Sequence, residues 1–174
     1  MGKILFIISQ SDFDDKELSV IKEVIEETGY KTGTATIEKE SCRGSSGFKI
    51  KPDLTVIEAN KKIEYYDAVI VIGGRGSPKL SDYPEVFSIL SRAKEKGKII
   101  GGLDLGVTVL AKSGVLSGKQ ATTAPVDWAV TVLLDHYVKY MKKSVIVDGN
   151  FVTGEGPKAA EEFGMEIVET LKRT

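Results

Sequence analysis

Cysteine, histidine and tryptophan each occur once in the 174 residues, and asparagine and glutamine twice each. A single cysteine, Cys42, excludes an intrachain disulfide. It stands in "ESCRGSSGF", which reads as an exposed loop; Arg43 beside it can favour a thiolate, but a lone loop cysteine reads as incidental. The sole histidine, His136 in "LLDHYVKY", has no second imidazole to work with and reads as structural. Long apolar runs are missing too. The N-terminal run Ile4–Ile8 is too short for a signal peptide or a membrane span, so a cytoplasmic location is the expectation. Nor is there an excess of one charge. Lys and Arg number 24 against 25 Asp and Glu, a net charge of −1, which leaves no field to attract nucleic acid or an acidic membrane surface. Scarce amides beside abundant Lys and Glu lean toward a thermophilic source.

What is present is strand–helix alternation. "KILFII" (3–8), "DAVIVI" (67–72), "KIIGGL" (98–103) and "KSVIVDG" (143–149) are short, β-branched and continuously apolar, as strands buried on both faces are. Between them Leu18, Ile21 and Ile25 mark one helix ending at Gly29, and Val86, Ile89, Leu90 and Ala93 another ending at Gly97. Val107, Leu110 and Ala111 mark a third ending at Gly114, and Phe163, Ile167 and Leu171 a C-terminal one. The expectation is a single α/β domain over 1–174, flavodoxin-like and doubly wound, with helices on both faces of a mostly parallel sheet. Residues 38–62 fit the alternation poorly; "GFKIKPDLTVIEA" suggests an added hairpin turning at Pro52-Asp53.

Ligands in such sheets bind beyond the carboxyl ends of the strands. Three turns follow three of the strands: "SQSDFDD" (9–15), "GGRGS" (73–77) and "LDLG" (103–106). Neighbouring strands would bring them to one crevice. In the first, Asp14 precedes Glu17 by three residues, the pattern of an N-cap with a capping-box partner. In the second, Gly73-Gly74 lets backbone amides approach a ligand, although "GGRGSPKL" is neither a dinucleotide fingerprint nor a Walker loop. In the third, Asp104 sits at a strand-to-helix apex. Such a turn can hold its residue in a strained elbow above an anion-stabilising set of amides, or the aspartate can be no more than a cap.

"VIVIGGRGS", "KIIGGLDLGVTVLAKSGVLSGKQATT" and "VIVDGNFVTGEGP" resemble, in order and spacing, the DJ-1/PfpI (ThiJ/PfpI) superfamily over nearly the whole chain. Members of that family carry an Ala-Ile-Cys-His-Gly elbow. Laid on the pattern, Asp104 takes the position of the cysteine nucleophile and Leu105 that of the histidine after it. Asp14 takes that of the glutamate that hydrogen-bonds the cysteine. Gly73, Gly74 and Leu105 are then the expected oxyanion and binding positions, with the amides of Gly74 and Leu105 as donors.

Without the elbow thiol, the protease, glyoxalase and deglycase chemistry of the family does not carry over. The resemblance implies a protein silent in that chemistry, binding a small molecule or assembling with itself as family members commonly do. The alternative is a hydrolase or lyase acting on small carbonyl or amide compounds through an Asp14–Asp104 carboxylate pair. No cofactor and no metal are expected, the two aspartates being under-liganded for a divalent ion. An FMN-binding module is disfavoured because the acidic first turn would repel phosphate.

Overall fold

The computed structural model describes residues 2–174. Its first half runs β1 (Lys3–Ile7), β2 (Ser11–Phe13), α1 (Asp15–Glu27), β3 (Lys31–Thr36), β4 (Cys42–Gly44), β5 (Lys49–Ile50), β6 (Leu54–Thr55), α2 (Val56–Lys61) and β7 (Ala68–Val71). The second half runs α3 (Pro84–Glu95), β8 (Ile99–Leu103), α4 (Gly106–Ser113), β9 (Gln120–Ala121), α5 (Asp127–Asp135), β10 (Lys139–Tyr140), β11 (Val145–Asp148), β12 (Phe151–Gly154) and α6 (Ala160–Arg173).

Seven strands form the main sheet in the order β11-β12-β8-β7-β1-β3-β6, and every neighbouring pair is parallel except β11 with β12. Two separate cores follow from the period-2 side-chain alternation of the strands. Leu5 and Ile7 of β1, with Val69 and Val71 of β7, face α2–α5, whereas Ile4, Phe6 and Ile70 face α1 and α6. This is why the strand sequences read as unbroken apolar runs. Successive residues enter opposite cores, and neither face is left for water.

The helix stops lie where glycine can take a left-handed backbone: Gly29, Gly97 and Gly114 have φ of 91°, 64° and 87°. Three features differ from the sequence reading. "KSVIVDG" does not continue the parallel series. Gly149, with φ 60°, turns β11 back onto β12, and β12 is the strand that pairs with β8. No hairpin forms at Pro52-Asp53. There the Asp53 carboxylate accepts from the amide of Thr34, and β6 joins the sheet edge beside β3 before entering α2.

The hairpin that does exist is β4–β5, packed beside β2, and it buries Cys42 completely. It is fastened to α1 by Asp15. Burial alone would raise the Asp15 carboxyl, but the hydroxyl and amide of Ser46 and the amide of Phe48 outweigh it and hold the group below its usual range.

Cys42 is therefore not an exposed loop cysteine. Burial pushes its thiol above the usual range, and a hydrogen bond with the Thr36 side chain only partly offsets this, so Arg43 next to it does not make a thiolate. Ellman's reagent should label the native protein slowly and the urea-unfolded protein completely. Fast stoichiometric labelling of the native protein would contradict this burial.

Candidate functional site

The order β8-β7-β1 makes neighbours of the three strands whose turns were expected to meet. β1 and β7 also flank the point where the strand order reverses, the position at which open α/β sheets part to leave a crevice. Backbone hydrogen bonds tie the turns directly. The Asp14 amide donates to the Gly73 carbonyl at 2.8 Å and the Gly76 amide to the Asp12 carbonyl at 3.0 Å. Close approach requires glycine here. A Cβ at Gly73 would lie 2.6 Å from the Cβ of Asp104, and one at Gly74 would lie 2.5 Å from the backbone of Asp12 and Asp14.

Asp104 stands at the apex between β8 and α4 with φ 56°, a left-handed conformation that costs a non-glycine residue about 1–2 kcal/mol. The surroundings over-determine it. Its amide donates to Gly154 at 2.9 Å, and its carbonyl accepts from the Thr123 hydroxyl at 3.0 Å and the Val107 amide at 3.3 Å. Leu105, not Asp104, is the N-cap of α4, and no side chain caps that helix. The cap reading of Asp104 is thus replaced by the elbow.

The Asp104 side chain turns back over the amides of Gly74 and Leu105. Its Oδ2 accepts the Gly74 N–H at 3.3 Å, and the Leu105 amide also bonds the carboxylate. Burial raises the Asp104 carboxyl above its usual range, the Leu105 and Gly74 amides hold it back, and the negative charge of Asp14 adds to the rise.

Asp14 is the N-cap of α1. Its Oδ1 accepts the amides of Lys16 at 3.1 Å and Glu17 at 3.0 Å. The capping box is not completed, because the Asp14 amide goes to Gly73 and Glu17 does not reach back to it. Glu17 is instead fully buried, and neither of its carboxyl oxygens receives a donor from the described residues. The one group able to hydrogen-bond it is the Asp14 carboxylate, and that bond needs a proton on one of the two. Burial, then the charges of Asp104 and Asp14, push the Glu17 carboxyl up to about 10, so at neutral pH it is a carboxylic acid.

Glu17 is the residue that reading the sequence as a capping box misses. The signal was there: Glu17, Ile21 and Ile25 are spaced i, i+4, i+8 on the buried stripe of α1, where a carboxyl has no solvent. The expected Asp14–Asp104 pair is therefore a cluster of three carboxyls, with Asp14 committed to its helix and Glu17 beneath. His136 lies apart, at the C-terminal end of α5, its Nδ1 2.8 Å from the Val132 carbonyl.

A cavity of about 590 Å³ lies elsewhere, between α1, β3 and the β4–β5 hairpin, with Lys16, Lys22, Phe48 and Lys51 among its walls. It shares no residue with the elbow, and among the described residues its walls hold no left-handed non-glycine backbone and no buried side chain lacking a hydrogen bond, so size alone recommends it as a reaction centre, while geometry and electrostatics recommend the elbow. Among the described residues no group of three or more His, Cys, Asp or Glu side chains is arranged to hold a metal ion, and no helix is long and apolar enough to cross a membrane.

The match with known proteins runs the length of the chain. An uncharacterized protein of Methanocaldococcus jannaschii, MJ0967, is 31% identical over 173 residues, 99% of this chain and 83% of its own. A deglycase of Pyrococcus horikoshii, PH1704, is 28% identical over 170 residues, 98% of this chain and 99% of its own. The crystal structure of a ThiJ/PfpI domain protein from Brachyspira murdochii superposes with a TM-score of 0.93 at 26% identity, covering 99% and 97% of the two chains. Residues 2–170 match the model of the DJ-1/PfpI family, and the chain belongs to that family.

Proposed function

We propose that Asp104 occupies the place where relatives keep a thiol, and that the protein is silent in thiol-dependent family chemistry and binds a small molecule at the elbow. Relatives carry the names deglycase and glyoxalase. The observation that carries the proposal is the 3.3 Å bond from the Gly74 amide to Asp104 Oδ2. A nucleophile at an elbow needs its neighbouring amides free for the oxyanion that forms on the substrate. In this protein the apex side chain is itself a carboxyl that accepts from those amides.

A second reading is favoured by Glu17. A neutral carboxylic acid beside a carboxylate is the arrangement of an acid–base pair, so a hydrolase or lyase would work through Asp104 and Glu17, with Asp14 as the partner of Glu17.

Turnover of methylglyoxal and of a methylglyoxal-glycated amino acid separates the two. No turnover above the uncatalysed rate is expected from the parent protein. Turnover in the parent that disappears in Asp104→Asn would replace the binding reading with the enzymatic one.

A further inference from the structure

We infer that the cavity of about 590 Å³ between α1, β3 and the β4–β5 hairpin is a second binding site, separate from the elbow, for a small carboxylate with a flat apolar body. The cavity exists because β6 joins the sheet late. It pairs only with Ala35 and Thr36, so residues 32–34 of β3 have β1 on one side and no strand on the other. The hairpin supplies Phe48 and Ile50 to the walls, and α1 supplies Leu18 and Lys22, which share a stripe with Asp15 at spacing i, i+3, i+7. The volume falls among those of small-molecule sites, about 300–1,000 Å³.

The charged side chains in the walls divide by what they already bind. The two acids are clamps. Asp15 accepts from the Ser46 amide at 3.0 Å, the Phe48 amide at 3.3 Å and the Ser46 hydroxyl. Asp53 accepts from the Thr34 amide at 2.9 Å and the Thr34 hydroxyl at 3.2 Å. These bonds fix the walls before a ligand arrives, which lowers the ordering cost of binding. The three lysines are less committed. Lys22 pairs with Glu26 at 3.9 Å, whereas Lys16 and Lys51 enter no ion pair among the described residues. Three lysines against two aspartates leave the cavity positive in a chain whose net charge is −1. Beside them stands apolar surface that the chain leaves uncovered: Leu18 is buried, but Phe48 at the mouth is 70% exposed.

The walls also select the ligand. A phosphate is disfavoured, because the first amides of α1 already donate to Asp14, no arginine is among the described lining residues, and two aspartates oppose a dianion. A cation meets lysines. A neutral apolar molecule gains contact with Leu18, Phe48 and Ile50 but nothing from Lys16 or Lys51. A carboxylate on an aromatic ring uses both. Its ring packs against Phe48, and its single charge lies between two ammonium groups that flexible stems bring to the mouth.

The test is a titration of the protein with 1-naphthoate at pH 7 and constant ionic strength, followed by ¹H–¹⁵N signals. Saturable movement of the Gly33, Ser46 and Phe48 amides is expected, with those of Gly74 and Leu105 unmoved. Lys16→Gln combined with Lys51→Gln should weaken naphthoate about fivefold, as loss of two partly exposed ion pairs does. The same pair of changes should leave 1-naphthalenemethanol, which has the ring without the charge, unaffected. Phe48→Ser should weaken both compounds, and its fold is retained because the ring is largely exposed. Absence of saturation, movement centred on Gly74 and Leu105, or unaltered naphthoate binding in either variant protein would overturn the proposal. So would self-association in sedimentation that Phe48→Ser abolishes, since a second copy of the chain would then be the occupant.

Discussion

Glu17→Gln is expected to stabilise the protein by about 3 kcal/mol at pH 7, and by less as the pH falls toward 4.5. A glutamate on an unfolded chain ionises near 4.5, whereas in the folded protein it holds its proton to about 10. Between those values the folded state binds more protons than the unfolded state, so each unit rise in pH costs about 1.4 kcal/mol of stability. The contribution of Glu17 is fully present below pH 4.5, declines as pH rises through neutrality, and is exhausted near 10. Glutamine has nearly the shape of the protonated acid and carries no proton to lose, so its curve lacks this slope.

The measurement is urea unfolding of both proteins between pH 4.5 and 9. The difference between the two curves isolates Glu17, since the other titrating groups are common to both. At this chain length the gain at pH 7 corresponds to roughly 6–12 °C in Tm. Parallel curves would mean that Glu17 is ionised and has found a counter-charge. Combining Glu17→Gln with Asp104→Asn refines the result. Each carboxyl contributes to the charge that the other resists, so the two stabilisations should fall short of additivity.

Such a group is destabilising by construction, and it persists beside a strained residue. Asp104 at φ 56° and the buried Glu17 both lie beside the tie between the Gly73-Gly74 turn and the acidic turn. Strain and a buried carboxyl are thus concentrated at the strand-reversal point, where packing alone would select against both.

Much of this was legible in the sequence because it depends on one-dimensional patterns. Continuous apolar runs placed β1, β7 and β8 in the interior, glycines placed the ends of α1, α3 and α4, and the polar turns after the strands placed the crevice. β3, with the sequence KTGTAT, escaped because its residues carry little hydrophobic signal; its pairing with β1 makes it a strand. β12 escaped because "FVTG" is short, and only the turn at Gly149 reveals that it, not β11, borders β8. Cys42 looked exposed among serines and glycines, but the burial comes from a hairpin folding over α1, a contact between distant segments. Glu17 was misassigned for a different reason. A capping box and a buried carboxyl share the same spacing from Asp14, and only the direction of the side chain separates them.

Gly76→Ala should destabilise the protein by about 3 kcal/mol or more, and by a mechanism that tests how the crevice is held together. Its backbone, at φ −83° and ψ −17°, is open to any residue, so conformational preference contributes nothing. The cost is steric. A Cβ there would lie 1.9 Å from the carbonyl oxygen of Ser11, and that atom is backbone that no rotamer change can move. To admit the methyl group, the 9–14 segment must withdraw from the glycine-rich turn. Withdrawal breaks the Gly76–Asp12 and Asp14–Gly73 bonds and draws Asp14 and Glu17 away from Asp104. Gly118→Ala is the matched control, with φ 79° and nothing within 4 Å of its Cβ, so it bears only the left-handed penalty of about 1–2 kcal/mol. In urea unfolding the Gly76 variant should lose clearly more than this control. It should also lose the steep pH dependence due to Glu17, because the buried acid is no longer confined beside two other carboxyls. A Gly76→Ala protein of parental stability and unaltered pH profile would show that the acidic turn and the glycine turn do not press on each other. The carboxyl cluster would then need another origin.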